Sequence, residues 1–146
     1  MLGNKAFSMK YNAIEKKLLL HADQCNCCEG EYSTIIGRLT HHRKFVLKTD
    51  KVVITDDLKK QGRGHKGVLS LHFAPEIGVI KKEDCVELLG NNKRYRLLRK
   101  CNVPNQMTLL KDAVSPSFGI LQNAVKLEVV FSFDERVQLI TTIESI

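Results

Sequence analysis

Alternation of apolar and polar residues with a period of two constrains this chain more than any other feature. In residues 126–133, four apolar side chains share one face of an extended segment: Leu127, Val129, Phe131 and Phe133. Residues 69–73 and 137–143 alternate in the same way. Successive side chains of a strand point to opposite faces of a sheet, so each segment predicts a strand with one buried face.

Shorter apolar runs, separated by turn signals, fill the rest of the chain. Residues 45–47 and 52–54 flank a polar loop and predict a hairpin. A turn is predicted at 90–93 by composition. Residues 13–20 contain good helix formers, but their short length and apolar end favour a strand. Because apolar runs recur about every 8 to 12 residues, the fold class is predicted to be all-β, an antiparallel β-sandwich.

Length and charge narrow the classes of function. The 146 residues suit one domain, 1–146, and 43% apolar with 27% charged residues is a globular composition. A net charge of +7 favours polyanions, whether acidic polysaccharide, nucleic acid or anionic lipid. No apolar run reaches the roughly 18 residues of a membrane helix, so no membrane span is expected. The first residues lack the apolar core of a signal peptide.

The five cysteines form a poor disulfide framework because their number is odd and three of them are crowded together. The number and spacing of the cysteines favour a reducing compartment such as the cytoplasm. The alternative is that the chain belongs to a larger exported protein. His21, Cys25, Cys27 and Cys28 are possible zinc ligands, but only one C-x2-C pair is present and no second pair follows. We therefore assign no metal and no cofactor.

Two segments carry clustered positive charge. Residues 61–67 combine three glycines with basic residues, which predicts a cationic hairpin turn where Arg63 and Lys66 contact an anion. This segment lacks the spacing of a nucleotide-binding P-loop. Residues 93–100 also interleave cations with one aromatic residue. This pattern suits either polyanion binding or a charged edge strand that resists aggregation.

The histidines carry no recognisable catalytic motif. His41 and His42 are adjacent on a predicted strand, so they point to opposite faces and do not share a ligand. No Ser/His/Asp arrangement and no carboxylate pair in a familiar context is present. The residues by themselves therefore predict a basic all-β domain without a visible active site.

A series of short motifs resembles the C-terminal region of the heparinase II/III family of polysaccharide lyases. Gly30 and Tyr32 lead to a His-x-Arg strand at His41 and Arg43, and a hairpin then ends in an Ile-x-Asp strand. The order and spacing of the motifs carry this resemblance across residues 29–146. The motifs lie in the stretches 29–32, 40–47, 52–58 (with Asp56), 64–65 (with His65), 71–75 (with His72), 117–119, 127–133 and 141–143.

The resemblance implies a β-sandwich that accompanies an N-terminal α/α toroid in the same protein. The family cleaves acidic polysaccharides by β-elimination, and the residues matched here do not include the toroid's catalytic motifs. The chain is therefore expected to be a non-catalytic C-terminal domain that supports the toroid and contacts acidic glycan. The alternative is a stand-alone polyanion-binding module, with nucleic acid the less favoured ligand. The candidate glycan- or anion-binding residues are Arg43, Arg63, His65, Lys66 and His72.

Overall fold

The structure, a computed structural model, describes residues 13–21, 26–34 and 38–146. These residues form eleven antiparallel strands in two sheets, as the alternation predicts. The strands are β1 (Ala13–His21), β2 (Cys27–Thr34), β3 (Leu39–Leu47), β4 (Lys51–Lys60), β5 (His65–His72), β6 (Gly78–Lys81), β7 (Val86–Gly90), β8 (Lys93–Cys101), β9 (Asn105–Ser117), β10 (Ile120–Phe133) and β11 (Arg136–Ser145).

The larger sheet has the strand order β1-β2-β3-β4-β11-β8-β7-β6. β11 is therefore a central strand, and it joins the ribbon of the first four strands to the ribbon of β6, β7 and β8. Its partners are in register across the sheet, with Leu139 opposite both Asp56 and Cys101. The segment at 93–100 was open to interpretation as an edge strand. That interpretation is wrong, because β8 is paired on both sides.

The smaller sheet has the order β5-β10-β9 and packs on one face of the larger sheet. β10 pairs with β5 only from Lys126 to Phe133, whereas its pairing with β9 continues to Ile120. The β9–β10 hairpin therefore extends beyond the three-stranded region as a two-stranded arm. Residues 113–125 of this arm contain no charged side chain, and Phe118 at its tip is fully exposed.

The core consists of two apolar clusters between the sheets. One contains Leu69, Val129, Phe131, Phe133, Val137 and Leu139, and the other contains Val86, Leu88, Leu97 and Leu127. All four residues predicted for the buried face of 126–133 are therefore in the core. Burying a side chain of this size stabilises the fold by roughly 1.5–3 kcal/mol. These two clusters hold the smaller sheet over β11, β8 and β7.

The turns follow the chemistry of their residues. Asn91 and Asn92 both have positive φ, which asparagine tolerates, and they close the β7–β8 hairpin predicted at 90–93. The glycine-rich segment at 61–67 does contain a turn, but not the hairpin turn that was predicted. It joins β4 of the larger sheet to β5 of the smaller one. The hairpin of β3 and β4 is confirmed.

One glycine is required by close packing. At Gly67 on β5, an added Cβ would lie 2.4 Å from the ring of Phe131. The ring therefore packs directly against the backbone of β5, where any side chain would displace it. In the part of the chain that the structure describes, no helix is long and apolar enough to cross a membrane.

Candidate functional site

A buried carboxylate organises the inner face of β2, β3 and β4. Asp56 on β4 is fully buried, and the register places it opposite Arg43 on β3. Nε of Arg43 donates to Oδ1 of Asp56 at 2.6 Å, and Nε2 of His41 donates to the same oxygen at 2.7 Å. Burial alone would raise the pKa of Asp56. The hydrogen bonds from His41 and Arg43 outweigh burial, so the pKa lies below its ordinary value.

The hydrogen bonds continue from Asp56 toward the surface. Because Nε2 of His41 donates to the carboxylate, the ring nitrogen left for a second hydrogen bond is Nδ1. It lies 3.2 Å from the hydroxyl of Tyr32, and the two rings meet edge to face with centroids 5.2 Å apart. Tyr32 is 40% exposed although it lies on the inner face. Asp56 thus fixes a histidine, and the histidine fixes an exposed tyrosine.

A second arginine lies deeper in the same face. Arg99 on β8 is opposite Thr141 on β11, between the two apolar clusters. Among the described residues, none of its three guanidinium nitrogens has a hydrogen-bond partner, and the same holds for Oδ2 of Asp56 and Oγ1 of Thr141. Burial lowers the pKa of Arg99, and the charge of Asp56 partly opposes that effect. Positive charge therefore exceeds negative charge inside this part of the sandwich.

A cavity of about 320 Å³ lies between β2, β3 and β4 of the larger sheet and β5 and β10 of the smaller one. Its inner wall is apolar and includes Leu58, Phe131 and Phe133. The remaining wall is polar or cationic and includes Tyr32, His41, Lys60, His65 and Lys66. An apolar base with a few convergent polar groups is the usual form of a small-molecule site.

A larger, open cleft of about 590 Å³ adjoins this cavity. Its basic side chains are Arg38, Lys59, Lys60 and Arg136, and Glu135 is the acidic one. Arg136 pairs with Asp57, and this pair raises the pKa of the arginine. Lys60 lines both the cleft and the cavity. We call the two together the basic end of the sandwich.

The structure places two of the five predicted site residues, His65 and Lys66, at the basic end, whereas Arg63 lines neither the cleft nor the cavity. Arg63 is exposed in the turn between β4 and β5, and His65 and Lys66 follow at the start of β5. Nε2 of His65 lies 3.0 Å from the carbonyl oxygen of Gln61, and its ring packs against Phe133. Arg43 lies nearby on β3, but its charge is already paired with Asp56.

The fifth predicted residue, His72, does not join the others. It ends β5, seven residues from His65 and thus roughly 23 Å along the strand. Its Nε2 lies 3.1 Å from Oδ2 of Asp112, which also pairs with Lys126. The structure therefore separates His72 from the basic end.

Sequence reasoning missed most of the residues that shape this region. Tyr32 and Asp56 appeared only as parts of the family motifs, and Arg38, Lys59, Lys60 and Arg136 were not singled out. One signal was available, because the alternation Ile54-x-Asp56-x-Leu58 places a carboxylate on an apolar face. Such a carboxylate needs partners, and His41 and Arg43 had the matching alternation on the preceding strand.

The adjacent histidines point to opposite faces, as predicted. His41 contacts Asp56 inside the sandwich, while Nε2 of His42 lies 3.7 Å from Glu29 on the other face. Of the possible zinc ligands, Cys25 lies outside the described residues. Within the ranges 26–34 and 38–146, no cluster of three or more potential metal ligands occurs.

Comparisons with known proteins support the fold. No family model and no curated protein sequence matches the chain. Among solved structures, two heparinase III structures match 93% of this chain with TM-scores of 0.72 and 0.70, at 13% and 16% identity. The heparan sulfate lyase HepC from Pedobacter heparinus matches 92% of it, with a TM-score of 0.70 and 8% identity. The chain has the fold of the heparinase C-terminal β-sandwich.

The match covers nearly all of this chain but only a part of each solved structure. This chain spans 22% of the length of each of the three solved structures. The likeness therefore concerns one region of those proteins, and it is a likeness of fold.

Proposed function

We propose that this chain is the C-terminal β-sandwich of a heparinase-like polysaccharide lyase, and that it contacts acidic glycan without performing catalysis. The proposal rests on two features that occur together in this chain: the fold of the heparinase C-terminal β-sandwich and the basic end. The cleft presents four cationic side chains and one acidic one, on a chain of net charge +7. A partner domain, expected to be an α/α toroid, supplies the catalytic centre.

The charges of the basic end support binding to a polyanion more directly than they support catalysis. Elimination from a uronate requires a neutralised carboxylate and a positioned base next to the same sugar ring. At the basic end, both ring nitrogens of the partly exposed His41 are already occupied, one by the hydroxyl of Tyr32 and the other by the carboxylate of Asp56. Of the cations of the cleft, Arg136 is paired with Asp57 and Arg38 donates to Gln61, whereas Lys59 and Lys60 have no ion pair among the described residues and are open to sulfate or carboxylate groups.

A charge-reversal pair tests the glycan contact. The double variant Arg38→Glu/Lys59→Glu reverses charge in the cleft, and Lys48→Glu/Lys51→Glu makes the same change of net charge at the β3–β4 hairpin turn, away from the cleft. We expect heparan sulfate binding to weaken steeply with added salt and to be lost only in the cleft variant. Equal losses in both variants would show that net charge, rather than the cleft, attracts the glycan.

The absence of catalysis is tested separately. The purified chain is expected to release no unsaturated uronate ends from heparan sulfate or alginate. Turnover by the pure chain that is lost in His42→Ala or His72→Ala would refute the non-catalytic role.

A stand-alone polyanion-binding module is the second candidate, because the same basic end suits any polyanion. The size of the native protein distinguishes the two. An immunoblot band several times heavier than 16.6 kDa supports a domain of a larger lyase-like protein, whereas a band at 16.6 kDa supports the independent module. In the second case, competition between heparan sulfate and nucleic acid identifies the preferred ligand.

A further inference from the structure

The cavity beside the cleft differs from the cleft in shape and in chemistry. The cleft is wide and open, whereas the cavity is enclosed on its inner side by the core residues Leu58, Phe131 and Phe133. A polymer can lie along an open cleft, but only the end of a chain can enter a cavity that is closed behind. Lys60 lines both, so the cleft and the cavity meet at this side chain.

The volume also indicates a small ligand. About 320 Å³ lies at the lower limit of known ligand sites, which span roughly 300–1,000 Å³. The space suits one sugar residue better than a longer segment. Lys60 and Lys66 offer donors for a carboxylate or sulfate, while the aromatic wall, which includes His65, packs against the apolar face of a ring.

The polar wall is held in place before any ligand arrives. The hydroxyl of Tyr32 makes one hydrogen bond, to Nδ1 of His41, and keeps capacity for a further hydrogen bond to a sugar hydroxyl. His41 is in turn held by the buried carboxylate of Asp56 at 2.7 Å. Preorganisation of this kind reduces the entropy lost when a ligand binds.

We propose that this cavity binds the terminal residue of an acidic glycan chain, with Tyr32 as the contact to the sugar and Lys60 and Lys66 as contacts to its anionic group. This inference rests on the proposed glycan binding and adds recognition of a chain end. It assigns Tyr32 and His41 to a binding role, with His41 acting through Tyr32 as a positioning residue.

The test compares a short and a long ligand on two aromatic variants. Tyr32→Ala removes the proposed contact, and Phe118→Ala is the matched control, since Phe118 is fully exposed on the distant arm. Binding of a sulfated heparin disaccharide and of long heparan sulfate is measured by calorimetry at fixed ionic strength. We expect Tyr32→Ala to weaken disaccharide binding about tenfold and long-chain binding less, because the cleft still holds the polymer. Phe118→Ala should bind both like the unmodified chain.

A milder variant distinguishes the loss of a contact from the loss of folding. Tyr32→Phe keeps the ring and removes only the hydroxyl, so it should weaken disaccharide binding by a few-fold with an unchanged circular dichroism spectrum. Unchanged disaccharide binding in both Tyr32 variants would overturn the terminal site. So would an absence of disaccharide binding while long chains bind tightly.

The two proposals fail in different ways. If long chains bind and the cleft variant loses them, but Tyr32 has no effect, the glycan contact stands and end recognition is wrong. If the disaccharide binds through Tyr32 and long chains bind no better in low salt than in high salt, the terminal site stands and the cleft has no role. If neither ligand binds, both proposals are wrong.

Discussion

The inner face of the larger sheet has two halves that differ in how they are covered. In the apolar half, on β7, β8 and β11, the smaller sheet covers residues such as Val86, Val137 and Leu139, which are completely buried. In the polar half, on β2, β3 and β4, Tyr32 and Phe45 remain about 40% exposed on the same face. Three strands cannot cover eight, so part of the face lies beyond the smaller sheet.

The difference teaches where binding groups can arise in a sandwich. Where two sheets meet, polar groups must be paired or they destabilise the fold. At the margin of the contact, side chains from the inner face reach solvent while their neighbours remain buried. Asp56 is fully buried and Tyr32 is exposed, yet only His41 separates them. At the margin of the contact between the sheets, side chains that a ligand can reach are therefore held in place by buried neighbours.

The strongest expected effect comes from removing the buried carboxylate of the polar half. Asp56→Ala leaves His41 and Arg43 without their acceptor, next to the unpaired Arg99, and we expect a loss of about 3–5 kcal/mol in the free energy of unfolding. The measurement is urea denaturation at neutral pH. Asp57→Ala, one residue away on the opposite face, is the matched control and should cost far less. Equal losses would mean that burial of Asp56 is unimportant.

Truncation in the apolar half should have a slightly smaller effect. Leu139→Ala removes a completely buried side chain from the core, and we expect a loss of about 2–5 kcal/mol. Leu121→Ala on the arm is the control, because that side chain is 74% exposed, and its stability should change little. A large loss for Leu121→Ala in the same denaturation series would show that the arm is packed in solution.

Acid should weaken the polar half selectively. The folded pKa of Asp56 lies below its ordinary value of 3.8, so its contribution to stability is fully present above that value. The contribution is lost as the pH falls from about 3.8 through the folded pKa, because the unfolded chain then binds the proton more readily. Urea midpoints between pH 6 and pH 2.5 should fall more steeply for the unmodified chain than for Asp56→Asn. Parallel curves would assign the acid sensitivity to other carboxylates.

The smallest effect is expected at the boundary between the halves. Arg99 is buried without a hydrogen-bond partner among the described residues, so Arg99→Met removes an uncompensated charge and keeps much of the volume. Its stability should change by less than about 1 kcal/mol or should rise, since apolar replacement of buried charge is often neutral or stabilising. Thermal unfolding of this variant beside Asp56→Ala provides the comparison. A loss comparable to that of Asp56→Ala would contradict the expectation.

The two halves also differ in how well the sequence predicts them. The alternation at 126–133 and 137–143 predicted the buried faces correctly, because apolar residues at a period of two reveal a covered strand directly. The hairpin of β3 and β4 and the turn at 90–93 were predicted from their residues for the same local reason. The family resemblance predicted the fold class, and the solved structures agree.

The order of the strands across the larger sheet, and the sites that depend on it, could not be predicted in this way. Whether β8 is an edge or an interior strand depends on where β11 inserts, and no local pattern encodes that pairing. For the same reason the sequence placed Arg99 in a charged surface segment, 93–100. The register instead places it opposite Thr141 inside the sandwich. The cleft combines side chains from β3, β4 and β11 with the intervening turns, so it exists only after the strands are ordered.

The central position of β11 has a consequence for how the molecule is made. β4 and β8 become neighbours only through β11, which is the last of the strands in the sequence. Until β11 is synthesised, the ribbons on either side each carry an unpaired edge, and such edges template aggregation. Closing them requires contacts between residues about 80 positions apart, as between Arg136 and Lys59, and pairing over such separations is slow. The two ribbons therefore join into one sheet only when β11 inserts between them, and a chaperone that shields β4 and β8 before that step is expected to raise the yield of folded protein.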